Sequence, residues 1–142
     1  MKIKLDTLYS FKYRPITPKH KLLVWDAKPL IFALDIGPKM ILGINLHWIK
    51  KHHQQEFLDE ISQIVLKSKG KQHKIRLTYT LLKKPKFRYA LEGIRLYYTS
   101  RISKLTYIPE RKWHQVLNYK KFDANIKEFT KKTSPSSSLI SH

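Results

Sequence analysis

The sequence predicts an α+β fold: a small, mostly antiparallel sheet with one amphipathic helix at about 51–68 and one or two short helices. Three observations give that class. Apolar residues near the N-terminus alternate with period two, a single helical stripe runs through residues 51–68, and strands and helices do not alternate regularly as a doubly wound sheet requires. Residues 7–13 set Leu8, Ser10 and Lys12 against Tyr9, Phe11 and Tyr13, the pattern of a half-buried strand, which Pro15 and Pro18 end. Residues 22–25 and 29–36 read as two more extended pieces around a turn at 26–29, where Pro29 fixes the local dihedral. After Gly37 and Pro38 comes an apolar run over 40–49, interrupted by Gly43.

Phe57, Leu58, Ile61, Ile64 and Val65 then recur at helical spacing, and Gly70 stops the helix. Residues 75–79 read as a strand or the entry to a short helix. The stretch 87–108 fits helix or strand, because Gly93 sits inside it. Pro109 and Glu110, followed by Trp113, Val116 and Leu117 on one face, read as a short helix with the favoured proline and acid in its first turn. One basic domain is expected over 1–129, with a flexible Ser, Lys and Pro tail over 130–142.

The 142 residues are 42% hydrophobic, enough for one real core, but the formal net charge is +19. Self-repulsion at that charge opposes compaction, so a polyanionic partner is expected to neutralise it, nucleic acid above all. No apolar run approaches the roughly 20 residues of a membrane span, and no secretion signal is visible, so no membrane partner is expected. With no cysteine, disulfides, thiolate zinc sites and thiol catalysis are excluded. A reducing cytoplasm or a virus particle suits this composition.

The charge is uneven. Residues 67–121 hold 16 basic groups against only Glu92 and Glu110. Lys71, Lys74, Arg76, Lys83, Lys84, Lys86, Arg88, Arg95, Arg101, Lys104, Arg111 and Lys112 are the expected phosphate-gripping residues. Interleaved with them, Tyr89, Tyr97 and Tyr98 are candidate base-stacking platforms, although tyrosines at such spacing more often sit half-buried in a core.

Patterns that would carry catalysis are weak. His52, His53 and Glu56 share a helix face, but spacing specifies no further ligand, and a solvated helix start is the favoured reading. His47 pairing with Asp26 or Asp35 would resemble a general-base arrangement, with a hydrogen-bonded structural histidine the commoner outcome. The ten acids are too dispersed for a metal-binding carboxylate cluster, and the four glycines form no phosphate loop. No catalytic residue, metal or cofactor is therefore expected.

One resemblance rests on Tyr9, Phe11 and Tyr13, then Leu23, Val24, Trp25, Asp26, Pro29, Leu30 and Ile31, then Leu42, Gly43, Ile44, Asn45, Leu46, His47 and Trp48. The order resembles small proteins of large tailed bacteriophages. In these an aromatic strand precedes a Leu-Pro-aromatic-Asp-x-aromatic-Pro-Leu-Ile segment and a Gly-Leu-Asn-aromatic-His segment. Arg88, Tyr89, Ile94, Arg95, Tyr97, residues 104–109 and Trp113 continue it. Residues 22–24 lack the family's proline, Trp25 stands for a smaller aromatic, and Lys50 replaces a proline. Those proteins are labelled DNA end protectors, head-completion or virion structural proteins. The resemblance implies a role on the packaged genome near the portal, in the virion or host cytoplasm, alongside other virion proteins. Its motif residues here are Trp25, Asp26, Pro29, Gly43, Asn45 and His47. The expected function is non-enzymatic nucleic-acid binding. The alternatives are a structural connector, baseplate or minor capsid component meeting acidic protein surfaces and, more weakly, a small metal-dependent nuclease.

Overall fold

A computed structural model of the chain describes residues 2–16, 24–68 and 83–128. Among these, the chain forms β1 (Leu8–Tyr13), β2 (Val24–Asp26), β3 (Leu30–Ile36), β4 (Met40–Asn45), α1 (Lys51–Ser68), β5 (Ile94–Tyr98), β6 (Ile102–Ile108) and β7 (Ile126–Glu128). Five strands make one sheet in the order β5-β4-β3-β1-β6, each neighbouring pair antiparallel, and β2 and β7 pair as a separate antiparallel ribbon. The fold is α+β. The expected strand or helix at 75–79 and the tail at 130–142 lie outside the described residues.

A single cross-strand row organises the sheet. Ile94, Ile44, Phe32, Leu8 and Ile108 stand in register across all five strands. Phe57, Leu58 and Ile61 of α1 join the cluster built on this row, so the helical apolar spacing is spent against the sheet. Phe32 meets Phe57 and Trp113 edge-on, at ring-centroid distances of 6.1 and 5.9 Å. The Trp113 indole N–H donates to the Ile108 carbonyl at 2.9 Å, so its polar edge is satisfied inside the core.

β1 departs from the half-buried expectation. Its Leu8 and Ser10 are as buried as its Tyr9 and Phe11, because the opposite sheet face carries a second core. That core gathers Tyr9, Phe11, Tyr13, Ile31, Ala33, Ile41, Tyr97 and Ile102. Tyr97 meets Phe11 and Tyr13 edge-on at 5.4 and 4.9 Å, the geometry that aromatic quadrupoles favour.

The ambiguous stretch 87–108 resolves into a 3₁₀ segment over Pro85–Gly93, with Pro85 in its first turn, and then strands β5 and β6, which stand at opposite ends of the sheet order. The expected short helix after Pro109 is instead two 3₁₀ turns, Glu110–Lys112 and Val116–Asn118, and Trp113 and Val116 are buried as their spacing suggested. Gly93 marks the change from 3₁₀ segment to strand for a steric reason. A Cβ there would stand 2.7 Å from the Asn45 carbonyl oxygen and 3.1 Å from Ile44 and Ile49 side-chain carbons. Gly93→Ala is expected to lower stability by about 1–3 kcal/mol through this overpacking, read as a reduced urea midpoint at unchanged slope.

Candidate nucleic-acid interface

Behind the proposed surface lies a buried carboxylate. Asp26, 3% exposed at the end of β2, accepts four hydrogen bonds. The Lys28 and Asn125 backbone N–H groups donate to its Oδ1 at 3.0 and 2.9 Å. The Asn45 side-chain amide donates to Oδ2 at 3.1 Å, and His47 Nδ1 meets the same oxygen in a short contact. His47 Nε2 donates to the Phe122 carbonyl at 2.7 Å. Both ring nitrogens therefore face acceptors. Burial alone pushes the Asp26 carboxyl up, but the His47 hydrogen bond and charge, with the Asn125 and Asn45 donors, together hold it below its ordinary value.

Asn45 closes the network, its Oδ1 accepting from the Leu30 and His47 backbone N–H groups at 3.2 and 3.1 Å. Of the two acids considered for His47, the structure selects Asp26. Together with Asn45, the pair is a clamp joining the β2–β7 ribbon to the end of β4 and to the turn at Phe122.

The clamp fixes one wall of a groove of about 690 Å³. Lys12 and Arg14, with Arg101 and Ser103, come from the β1 and β6 side, while Trp25, Lys28 and Lys127 come from the ribbon side. The walls are held together by main chain. Tyr13 N–H donates to the Ala27 carbonyl at 3.0 Å, Ala27 N–H to the Asn125 carbonyl at 2.7 Å, and Arg14 N–H to the Arg101 carbonyl at 3.3 Å. Five basic side chains line this groove and no carboxylate does.

Lys104 adds to the concentration of charge. Between Ser10 and Lys12 the β1–β6 register slips, Lys104 and Leu105 of β6 opposing Phe11 alone of β1, and Lys104 takes φ 53° within that bulge. A non-glycine residue in this left-handed region costs about 1–2 kcal/mol. The result sets Lys104 beside Lys12, whose ammonium is pushed below its ordinary pKa by Lys104 first and also by Lys28.

The residues expected to grip phosphate are thus divided. Arg101 lines the groove and Lys104 flanks it. Lys83, Lys84, Lys86 and Arg88 are exposed elsewhere, around the 3₁₀ segment, where Lys86 pairs with Glu60 of α1 at 2.9 Å. Arg95 lies over the Trp48 ring and donates to the Glu92 and Ile94 carbonyls. Arg111 lines a different cleft with Asp59 and Glu110, and Lys112 is exposed near it in sequence. Lys71, Lys74 and Arg76 lie outside the described residues.

Tyr97 is corrected outright as a stacking platform. It is 5% exposed within the aromatic core, and burial pushes its hydroxyl pKa up. Tyr89 is partly buried and already stacked on His53 at 4.3 Å, and burial pushes its pKa up to about 12. Tyr98 is exposed. His53 also contacts Glu56 at 3.1 Å, and among the described residues no group of three or more His, Cys, Asp or Glu side chains is placed to hold a metal. Trp25, singled out as a motif residue, lines the groove; Pro29, just before β3, and Gly43, within β4, are buried. Counting charge along the sequence missed Lys12, Arg14, Lys28 and Lys127.

No family model matches the chain, and neither does any curated protein or solved structure. Among the described residues, no helix is long and apolar enough to cross a membrane.

Removing the Asp26 carboxylate leaves His47 and three N–H donors without their shared partner. Asp26→Ala is therefore expected to cost about 3–5 kcal/mol, measured by urea unfolding at pH 7. Folded Asp26 holds its proton less tightly than the unfolded chain does, so the clamp contributes fully above the unfolded value of about 4 and is lost as pH falls through the lower folded value. Wild-type stability should consequently fall more steeply below pH 4 than that of Asp26→Asn. Parallel acid titrations of the two proteins would count against the clamp.

Proposed function

We propose that this chain is a non-enzymatic nucleic-acid-binding protein of a phage virion or packaging apparatus, and that it grips phosphates with the groove between β1, β6 and the β2–β7 ribbon. The observation that carries this reading is the groove's charge. Lys12, Arg14, Lys28, Arg101 and Lys127 converge on one concavity without a lining acid, and Lys104 crowds Lys12 from the side. Like charges placed this close repel one another in the free protein, and bound phosphate relieves the repulsion. Elsewhere on the surface, cations such as Lys86 have acidic partners. The formal charge of +19 supplies the long-range attraction, and the phage assignment rests on the sequence resemblance.

A second reading is a virion connector whose partner is an acidic protein surface. It is favoured by Leu96 and Tyr98 of β5 and Leu91 of the 3₁₀ segment before it, all exposed, which would offer an incoming protein apolar side chains beside the end strand of the sheet formed by the described residues. A stoichiometric protein complex that survives nuclease treatment would support that reading.

Salt-titrated binding to a labelled duplex tests the groove. The variant Lys12→Glu/Arg14→Glu/Arg101→Glu is expected to weaken binding by roughly two orders of magnitude and to flatten the log–log salt slope by about 3, near one unit for each phosphate contact removed. Lys83→Glu/Lys84→Glu/Lys86→Glu, which carries the same charge change outside the groove, should weaken binding far less. Equal losses in the two variants would leave net charge, and not the groove, as the cause.

A further inference from the structure

Phosphate recognition uses only part of this groove. Beside its cations, the lining includes Trp25, Tyr13 and Ala27. Trp25 is the central residue of β2 and stands directly across from Lys127 of β7, so an indole and an ammonium are fixed side by side on the ribbon wall. The opposite wall carries Lys12 from β1, Arg14 just after it and Arg101 from the turn before β6. The volume of about 690 Å³ lies within the roughly 300–1,000 Å³ typical of sites that enclose a small organic group.

These features suit different parts of a nucleic acid. A flat basic face serves a duplex, whose backbone presents phosphate and sugar while its bases stay stacked inside. A concave site with an aromatic ring in its wall and cations around it suits a strand whose bases are turned outward, because each base then offers a π-face to the ring while its phosphates reach the cations. Aromatic stacking is tolerant of sequence, in keeping with a site whose remaining polar groups are mostly cationic.

Resting on the proposed function, we infer that the groove binds unpaired nucleotides, with a base laid against the Trp25 indole and the flanking phosphates held between the ribbon lysines and Arg14 and Arg101. Trp25 then supplies the preference for unpaired strand, and the basic side chains supply affinity for any strand. The clamp beneath holds the ribbon, and Trp25 with it, at a fixed distance from β1 and β6.

The test compares two probes of equal charge by fluorescence anisotropy on the full chain: a labelled 15-nucleotide oligothymidine and a 15-unit abasic strand with the same phosphates, with a blunt duplex alongside. Wild type is expected to bind the oligothymidine roughly tenfold or more tighter than the abasic strand. Trp25→Leu should bring the two affinities together, with its circular dichroism spectrum and urea midpoint reporting that the variant is folded. Trp25→Phe, which retains a stacking ring, should keep part of the preference. Equal wild-type affinity for the two strands overturns the inference without any mutation, as does a preference that Trp25→Phe and Trp25→Leu leave intact. Both outcomes keep phosphate binding. Failure to bind all three probes at physiological salt overturns the nucleic-acid reading itself and turns attention to an acidic protein partner.

Discussion

One carboxylate holds together parts of the chain that have no other reason to meet. Asp26 takes donors from the turn after its own strand, from the end of β4, from the 3₁₀ turn following β4 and from the segment leading into β7. The ribbon it anchors is only three residue pairs long, and a two-stranded ribbon of that length is not stable alone. Its position depends on the clamp and on a few main-chain bonds to β1. Buried ion pairs are rarely efficient as stabilisers, since apolar residues of similar volume often do as well. What a directional network provides that apolar packing does not is a single register for the ribbon against the sheet, and the groove needs that register because two of its five lining cations, Lys28 and Lys127, stand on the ribbon side.

The charge state of the clamp matters to the groove as well. A lone buried carboxylate behind an anion site would repel the ligand through a medium that screens poorly. Met by the His47 ring and by the N–H donors of Asn45, Lys28 and Asn125, the Asp26 carboxylate has its charge offset locally. On the proposed reading, His47 serves binding without touching the ligand. Its Nε2 bond to the Phe122 carbonyl brings the last described turn into the same unit, next to the core residues Trp113 and Val116.

The sequence allowed some of this to be read and concealed the rest for identifiable reasons. The helix over residues 51–68 was legible because five apolar side chains at helical spacing have few other uses. The strand character of β1 was legible too, but not its burial on both faces. Ser10 looks like a solvent-facing residue until the sheet is known to carry a core on each side. Asp26, Asn45 and His47 stood out in the sequence as motif residues without an assigned role, and the structure joins them in one network. The groove was not legible, because its cations come from residues 12, 14, 28, 101 and 127, each unremarkable locally. Only the antiparallel register of β1 with β6 and the pairing of β2 with β7 bring them together. A count along the chain favours continuous runs, and the run from Lys83 to Arg88 proved to border α1, where Glu60 answers one of its charges.

Where charges sit relative to one another separates a binding surface from a merely basic one. Around α1 the chain behaves as a solvated surface does, with Lys86 on Glu60 and His53 on Glu56. At the groove it does the reverse: Lys104 adopts a strained backbone conformation within a bulge and stands against Lys12, a pairing in which both the dihedral and the Coulomb energy are unfavourable. Neither feature helps the free protein fold. Both are tolerated because the two-sided core and the Asp26 clamp hold the surrounding strands, and the repulsion becomes an attraction once a phosphate lies between the ammonium groups. The same clamp that fixes the ribbon therefore keeps the groove's cations from spreading apart, so the unfavourable arrangement of the free state is also the ready-made arrangement of the bound one.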